Sequence, residues 1–251
     1  MTVPHLARAP ILSALLALTA YASSSRPEDT EVWHPEPSIV TPGEAVEPPS
    51  DAIVLIGQDA SLERWQSAGG GPARWHYADG VLTVVPGSGD ILTRGDYGSV
   101  QLHLEWRSPP EPEQSGQDKG NSGLFFQSRY ELQILDSYQN RTYANGQAGS
   151  IYKQHLPLVN AMRPTGQWQT YDAVYRAPAF DAAGKLLSPA HITVLHNGVL
   201  IQDHVEIQGE TLYVGKPDYR PHGKAPIKLQ DHSNPVSFRN MWLRELDETD
   251  R

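Results

Sequence analysis

The chain has 251 residues, 29 Asp and Glu against 20 Lys and Arg for a net charge of −9, and no cysteine. The missing thiol excludes disulfides, cysteine nucleophiles, thiolate zinc centres and lipid attachment through cysteine. An acidic balance argues against a nucleic-acid partner, which wants a basic surface.

In chain order, His5 and Arg8 precede an apolar run from Ile11 to Ala20, then the small-x-small site Ala20-Tyr21-Ala22. This reads as a secretory signal over residues 1–22, too short to span a membrane. The expectation is export to a bacterial periplasm or to the cell exterior, without stable membrane insertion after cleavage. The Asn140-Arg141-Thr142 sequon is then accidental. Residues 23–50 carry six prolines and six acidic residues, with Arg26 as their only base. Such a segment cannot pair inside a sheet and has little to bury, so it reads as a tether or strap pinned by Val32 and Trp33.

From Asp51 to the end at 251 the chain reads as one domain. Asp59 is a candidate cap for a helical turn over Ala60 to Trp65. Asp79-Gly80 separates Trp75-His76-Tyr77 from Val81 to Val85, and Asn197-Gly198 separates Ala190–His196 from Val199–Ile207. Both dipeptides accept φ > 0 and mark tight hairpins. Val100, Leu102, Leu104 and Trp106 alternate with Gln101, His103, Glu105 and Arg107, the period of a half-buried strand. Trp168–Arg176, Pro226–Gln230 and Val236–Leu246 add further strands. Ten or more strands, almost no helix and no internal repeat predict an all-β, two-sheet antiparallel sandwich of jelly-roll type. The long loops, 108–120 and 137–167, are expected to frame any site.

Chemically the densest stretch runs from Gly120 to Asp136 and reads as two strands with a tight turn near Ser128-Arg129. On the second strand Tyr130, Leu132 and Ile134 share one face, Glu131 and Gln133 the other. Asp136 joins Glu131 and Gln133 only if a β-bulge shifts it across. Two carboxylates on one wall would divide acid and base work if their surroundings separate their pKa values. The competing reading is that Glu131 and Asp136 are ordinary polar-face residues paired with Arg129 or Lys153. Gln230-Asp231-His232 opens a loop before the last strand. His232, and His103 beside Glu105, are the best-placed imidazoles for proton transfer. No metal-ligand motif is evident, although His103, Glu105 and Glu131 could gather a site, so no metal or cofactor is expected. Six Trp and eleven Tyr favour stacking on sugar rings, with Trp106 and Trp242 assigned to the core.

Three segments together carry a family likeness: Gly120-Asn121-Ser122-Gly123, Arg129 to Ser137, and Gln230-Asp231-His232 with Phe238-Arg239-Asn240. Gly146 to Tyr152, Asn160-Ala161 and Trp168 to Asp172 extend it. These motifs resemble the DUF1080 family, the 3-keto-disaccharide hydrolases, over about residues 51–246. The resemblance implies a concanavalin-like jelly roll, exported from a bacterium, acting on glycosides already oxidised at sugar C3. Ser128 departs from the family, which often has Gly in that turn. A C3 ketone acidifies the C2 proton, so the implied route is proton abstraction, β-elimination of the C1 oxygen and hydration. Glu131 or His232 would transfer protons, Asp136 would tune one of them, and Arg129 or Lys153 would stabilise the enediolate. Asn121, Gln127, Gln133, Gln154 and Gln230, with His103 and Glu105, would hold the substrate. Two alternatives are a non-catalytic carbohydrate-binding module and a retaining glycosidase using Glu131 and Asp136 as its carboxylate pair.

Overall fold

The computed structural model describes residues 25–44, 47–58, 62–112 and 114–246. The expected signal peptide lies outside the described residues, as do Asp59 to Ser61 of the expected helical turn. What is described of that turn is a single 3-10 turn, Leu62–Arg64, with Trp65 already in a strand. The chain divides into two compact units, Met1–Ile39 and Val40–Arg251. In the first, a 3-10 turn at Pro27–Thr30 is tied by Arg26 and Asp29, and the Trp33 indole donates to Glu31. Val32 and Trp33 are exposed. The last part of the expected tether belongs to the second unit, where Ser50 N–H donates to the Thr41 carbonyl.

Strands in the second unit are β1 (Ile53–Ile56), β2 (Trp65–Ser67), β3 (His76–Ala78), β4 (Val81–Thr83), β5 (Ile91–Thr93), β6 (Val100–Arg107), β7 (Ser122–Phe126) and β8 (Tyr130–Ile134). They continue with β9 (Gln169–Arg176), β10 (Ala179–Phe180), β11 (Leu186–Ser188), β12 (His191–His196), β13 (Val199–Glu206), β14 (Lys228–Leu229) and β15 (Ser237–Glu245). The larger sheet has the order β13-β12-β9-β6-β15-β4-β3, with β1 also paired to β15. The smaller has the order β2-β5-β14-β7-β8, and β10-β11 form a separate ribbon. This is the expected antiparallel two-sheet sandwich. Its hairpins turn at Asp79-Gly80 and Asn197-Gly198, with all four residues at positive φ.

The core lies between the sheets and follows the period-two pattern. Leu102, Leu104 and Trp106 of β6 meet Leu124, Phe126, Tyr130 and Leu132 of the small sheet, all buried. Across the gap Phe126 stacks on Tyr175 at 4.5 Å between ring centroids. Tyr175 donates its hydroxyl to Gln127 at 2.7 Å, and Tyr171 donates to the Gln133 carbonyl at 2.8 Å. These bonds satisfy phenols that burial would otherwise penalise, and they lock the β7–β8 hairpin to the opposite sheet. Trp106 is in this core, as expected. Trp242 is not: it is half-buried on the outer face of the larger sheet, stacked against His103.

Candidate active site

The β7–β8 hairpin builds the site. Its turn sits at Gln127 and Ser128, one residue earlier than expected, with φ of 49° and 58°. That left-handed geometry is why glycine suits position 128. Serine is held there by donating its hydroxyl to the Pro226 carbonyl at 2.8 Å. Pairing then runs from Phe126↔Tyr130 to Ser122↔Ile134 without a register shift, so the ladder itself has no bulge. Glu131 and Gln133 therefore stay on the outer face of the small sheet.

Antiparallel neighbours extend that face sideways. Leu92, Lys228, Phe125 and Glu131 form one cross-strand row, and Gly123 pairs with Gln133 in the next. Gln230 N–H donates to the Gly123 carbonyl, which brings Gln230 into the second row. A cleft of about 300 Å³ opens over these rows. Asn121, Glu131, Gln133, Gln230 and His232 line it with Phe125, Tyr152, Thr211 and Tyr213.

Glu131 is 5 % exposed, and among the described residues no cation lies within ion-pair distance of its carboxyl. Burial pushes its pKa up to about 8, against the downward pull of Lys228 and with a small upward push from Asp90. Lys228 itself is held 3.2 Å from Asp90, with its ammonium 3.7 Å from the centre of the Phe125 ring. Room for the carboxyl exists because position 123 has no side chain: a Cβ there would lie 2.8 Å from Glu131 Oε1 and 2.7 Å from the Phe125 ring. The Gln133 amide, turned with its nitrogen toward acceptors, donates to Glu131 Oε1 at 3.1 Å and to the Ser122 carbonyl at 3.0 Å. Gln230 Oε1 is buried and accepts no hydrogen bond among the described residues. His232 is exposed at the edge of the cleft.

Other residues expected at the site lie elsewhere. Asp136 is fully buried beyond the end of β8, 3.3 Å from Lys119 Nζ, accepting from Ser108 and from the Tyr138 N–H. Without a bulge it cannot reach the Glu131 wall, and its carboxylate instead ties the 108–120 loop to the hairpin. Gln127 donates to the Gly223 carbonyl, and Gln154 donates to the Gly209 carbonyl, so both amides serve loop structure. Arg129 is 3.1 Å from Glu210 rather than from Glu131. Lys153 stands at the rim, its ammonium 2.6 Å from the Tyr213 carbonyl.

His103 and Glu105 are on the outer face of the larger sheet, so they and Glu131 gather no metal site. His103 is 2.6 Å from Asp172, and Glu105 is 2.6 Å from Arg239 and 3.0 Å from Asn240. Burial alone would depress the His103 pKa, yet its bonds to Asp172 and Glu105 raise it to about 9. Burial would raise Glu105, but bonds from His103, Asn240 and Arg239 hold it down to about 2. A hollow of about 1150 Å³ lies beside them. There Glu105 and Arg239 already satisfy each other, whereas the smaller cleft holds a carboxyl with no ion-pair partner and a buried amide oxygen with no hydrogen bond among the described residues, the mark of a site awaiting a ligand.

Sequence reasoning did not single out Phe125, Tyr152, Thr211, Tyr213 or Lys228. Thr211 accepts from the Glu131 backbone N–H at 3.0 Å through its hydroxyl. Only the Tyr152 position fell in a loop expected to frame the site.

The fold has counterparts among solved structures. A candidate glycosyl hydrolase from Parabacteroides distasonis ATCC 8503, solved at 2.13 Å, is 45 % identical with a TM-score of 0.85, covering 89 % of this chain and 98 % of its own. A second candidate glycosyl hydrolase from that organism is 20 % identical with a TM-score of 0.58, covering 78 % and 94 %, a likeness of fold alone. No curated protein matches the chain. Residues 51–244 match the 3-keto-alpha-glucoside-1,2-lyase-like domain, and the chain belongs to that family.

Proposed function

We propose that the cleft cleaves glycosides oxidised at sugar C3, by C2 proton abstraction, β-elimination of the C1 oxygen and hydration. Family membership makes the chain a carbohydrate-active enzyme of glycosyl-hydrolase type. The observation that carries the finer reading is the lone carboxyl of the cleft, Glu131, raised to about 8. A conventional glycosidase needs two carboxyls on the order of 5–9.5 Å apart across the scissile bond. Among the described residues Glu131 is the only carboxylate lining this cleft, and Asp136 is committed to Lys119.

An elimination needs one strong base, donors for the enediolate oxygen and an acid at the leaving group. A carboxylate whose site favours its protonated form is a stronger base, so Glu131 takes the C2 proton. The C2–H electron pair moves into the C2–C3–O system, where the Asn121, Gln133 and Gln230 amides supply neutral hydrogen bonds. Collapse of the enediolate forms C1=C2 and expels the C1 oxygen, which takes a proton from His232. Water then adds its hydroxide to C1 and gives its proton to His232, while Glu131, its proton exchanged with solvent, protonates C2. The partnerless Gln230 oxygen accepts from a sugar hydroxyl. After signal cleavage this chemistry takes place in the periplasm or outside the cell, on an oxidised disaccharide or glycoside.

The test is incubation with matched oxidised and unoxidised disaccharides in deuterated water. Sugar release from the oxidised substrate only, with deuterium at C2, is the expected result. Glu131→Gln and His232→Ala should each lower turnover by about 10²-fold or more. Near wild-type turnover in both variants, or equal release from the unoxidised sugar, would sink the proposal. Binding without product would identify a carbohydrate-binding module instead.

A further inference from the structure

At the rim of the cleft, three tyrosine rings converge on one lysine. The Lys153 ammonium lies 3.9 Å from the Tyr213 ring centre, 5.6 Å from Tyr152 and 5.7 Å from Tyr143. Tyr143 and Tyr152 are joined through their hydroxyls at 2.6 Å. Lys153 adopts φ of 59°, a left-handed conformation unfavourable for a long side chain and kept where the surroundings impose it. From there its ammonium also grips the Tyr213 carbonyl at 2.6 Å.

Tyr213 sits at the tip of a loop that is fastened at its base. Glu210 N–H donates to the Asp218 carbonyl, and Thr211 N–H donates to the Arg129 carbonyl, each at 2.9 Å. Gly209 permits this closure, because a Cβ there would lie 2.4 Å from the Asp218 nitrogen. Tyr213 is nevertheless 75 % exposed, although it lines the cleft. An aromatic ring anchored by a lysine and otherwise open beside a polar pocket offers a stacking surface.

Polar groups and volume divide the ligand between two places. The amides and Glu131 crowd the floor of a cleft of about 300 Å³, at the lower end for a ligand pocket and suited to one sugar ring. Whatever is attached at C1 must therefore extend past the rim, where Tyr213 and Tyr152 stand. We infer that the Lys153-anchored tyrosine rim is an aglycone site that grips ring-shaped leaving groups, a second sugar or an aromatic ring, by stacking on Tyr213. This rests on the reading that the floor takes the oxidised ring, and it adds a preference that the floor alone does not supply.

The test compares 3-keto-glucosides carrying methyl, glucosyl and 4-nitrophenyl groups at C1, with wild type, Tyr213→Ala and Tyr213→Phe. Tyr213→Ala should lower kcat/KM on the two ring-bearing substrates about 10-fold more than on the methyl glycoside, mainly through KM. Tyr213→Phe, which keeps the ring face, should restore the preference. Binding of the same ligands, and of their unoxidised counterparts, to the Glu131→Gln protein gives a readout independent of turnover. Equal losses on all three substrates, or an unchanged preference in Tyr213→Ala, would overturn the aglycone site while leaving the proposed chemistry intact. A Tyr213-dependent preference seen only in binding of unoxidised sugars would keep the aglycone site and remove the 3-keto chemistry. No binding of any of them would refute both.

Discussion

Replacing Glu131 with Gln should stabilise the protein at alkaline pH while abolishing most of its activity. Glu131 is 5 % exposed, and its pKa is raised by burial from the ordinary 4.5 to about 8. In the unfolded chain the carboxyl ionises near its ordinary value, so between those two values the folded state binds more protons. Stability is then fully present below about pH 4.5 and falls as pH rises toward 8, by about 1.4 kcal/mol per unit. The accumulated cost at pH 8 is roughly 3–5 kcal/mol, the lower figure allowing for water that enters an open cleft. Gln fills the same space and carries no charge, so it removes that cost. Urea denaturation of both proteins from pH 4 to 9 provides the measurement. The expected curves nearly coincide at pH 4 and diverge steadily to pH 8, with the variant more stable. Parallel curves across that range would show that Glu131 is not the buried, proton-holding group described here, and the base assignment would fall with it.

Gly123→Ala places a methyl 2.8 Å from Glu131 Oε1 and 2.7 Å from the Phe125 ring, so it should cost about 1–3 kcal/mol and reduce turnover at least 10-fold, read by thermal melting and steady-state rates. Lys228 holds the Glu131 pKa down, so Lys228→Met should move the pH–rate limb attributed to Glu131 upward, and a limb that stays or moves down contradicts the assignment. Asp136→Asn removes the charge of a fully buried carboxylate paired with the mostly buried Lys119 and should lower stability by about 2–3 kcal/mol in a denaturant melt, while the pH–rate profile keeps its Glu131 limb.

Much of this protein was legible in its sequence because a sheet writes itself with a period of two. The alternation Tyr130, Leu132, Ile134 against Glu131, Gln133 was enough to put the first set in the core and the second on a polar wall. Asp-Gly and Asn-Gly were enough to place two hairpins, since few other residues accept their backbone angles. The motifs around them were specific enough to identify the family. Alternation says which side of a strand a residue takes, but not which sheet the strand joins. His103 and Glu105 have the same polar-face pattern as Glu131, yet strand order puts them on the far side of the sandwich. Whether Asp136 shared the Glu131 wall depended on one bulge, a register feature that only the completed ladder decides. Lys228 reaches Glu131 through a cross-strand row, and Tyr213 reaches the cleft through a loop closed on Asp218. Those neighbours are distant along the chain and adjacent only because pairing and loop closure bring them together. The sequence by itself determined the sandwich, the hairpins and the face that carries Glu131. The tertiary structure alone decided which groups share that face, how deeply Glu131 is buried, and so which way its proton equilibrium is pushed.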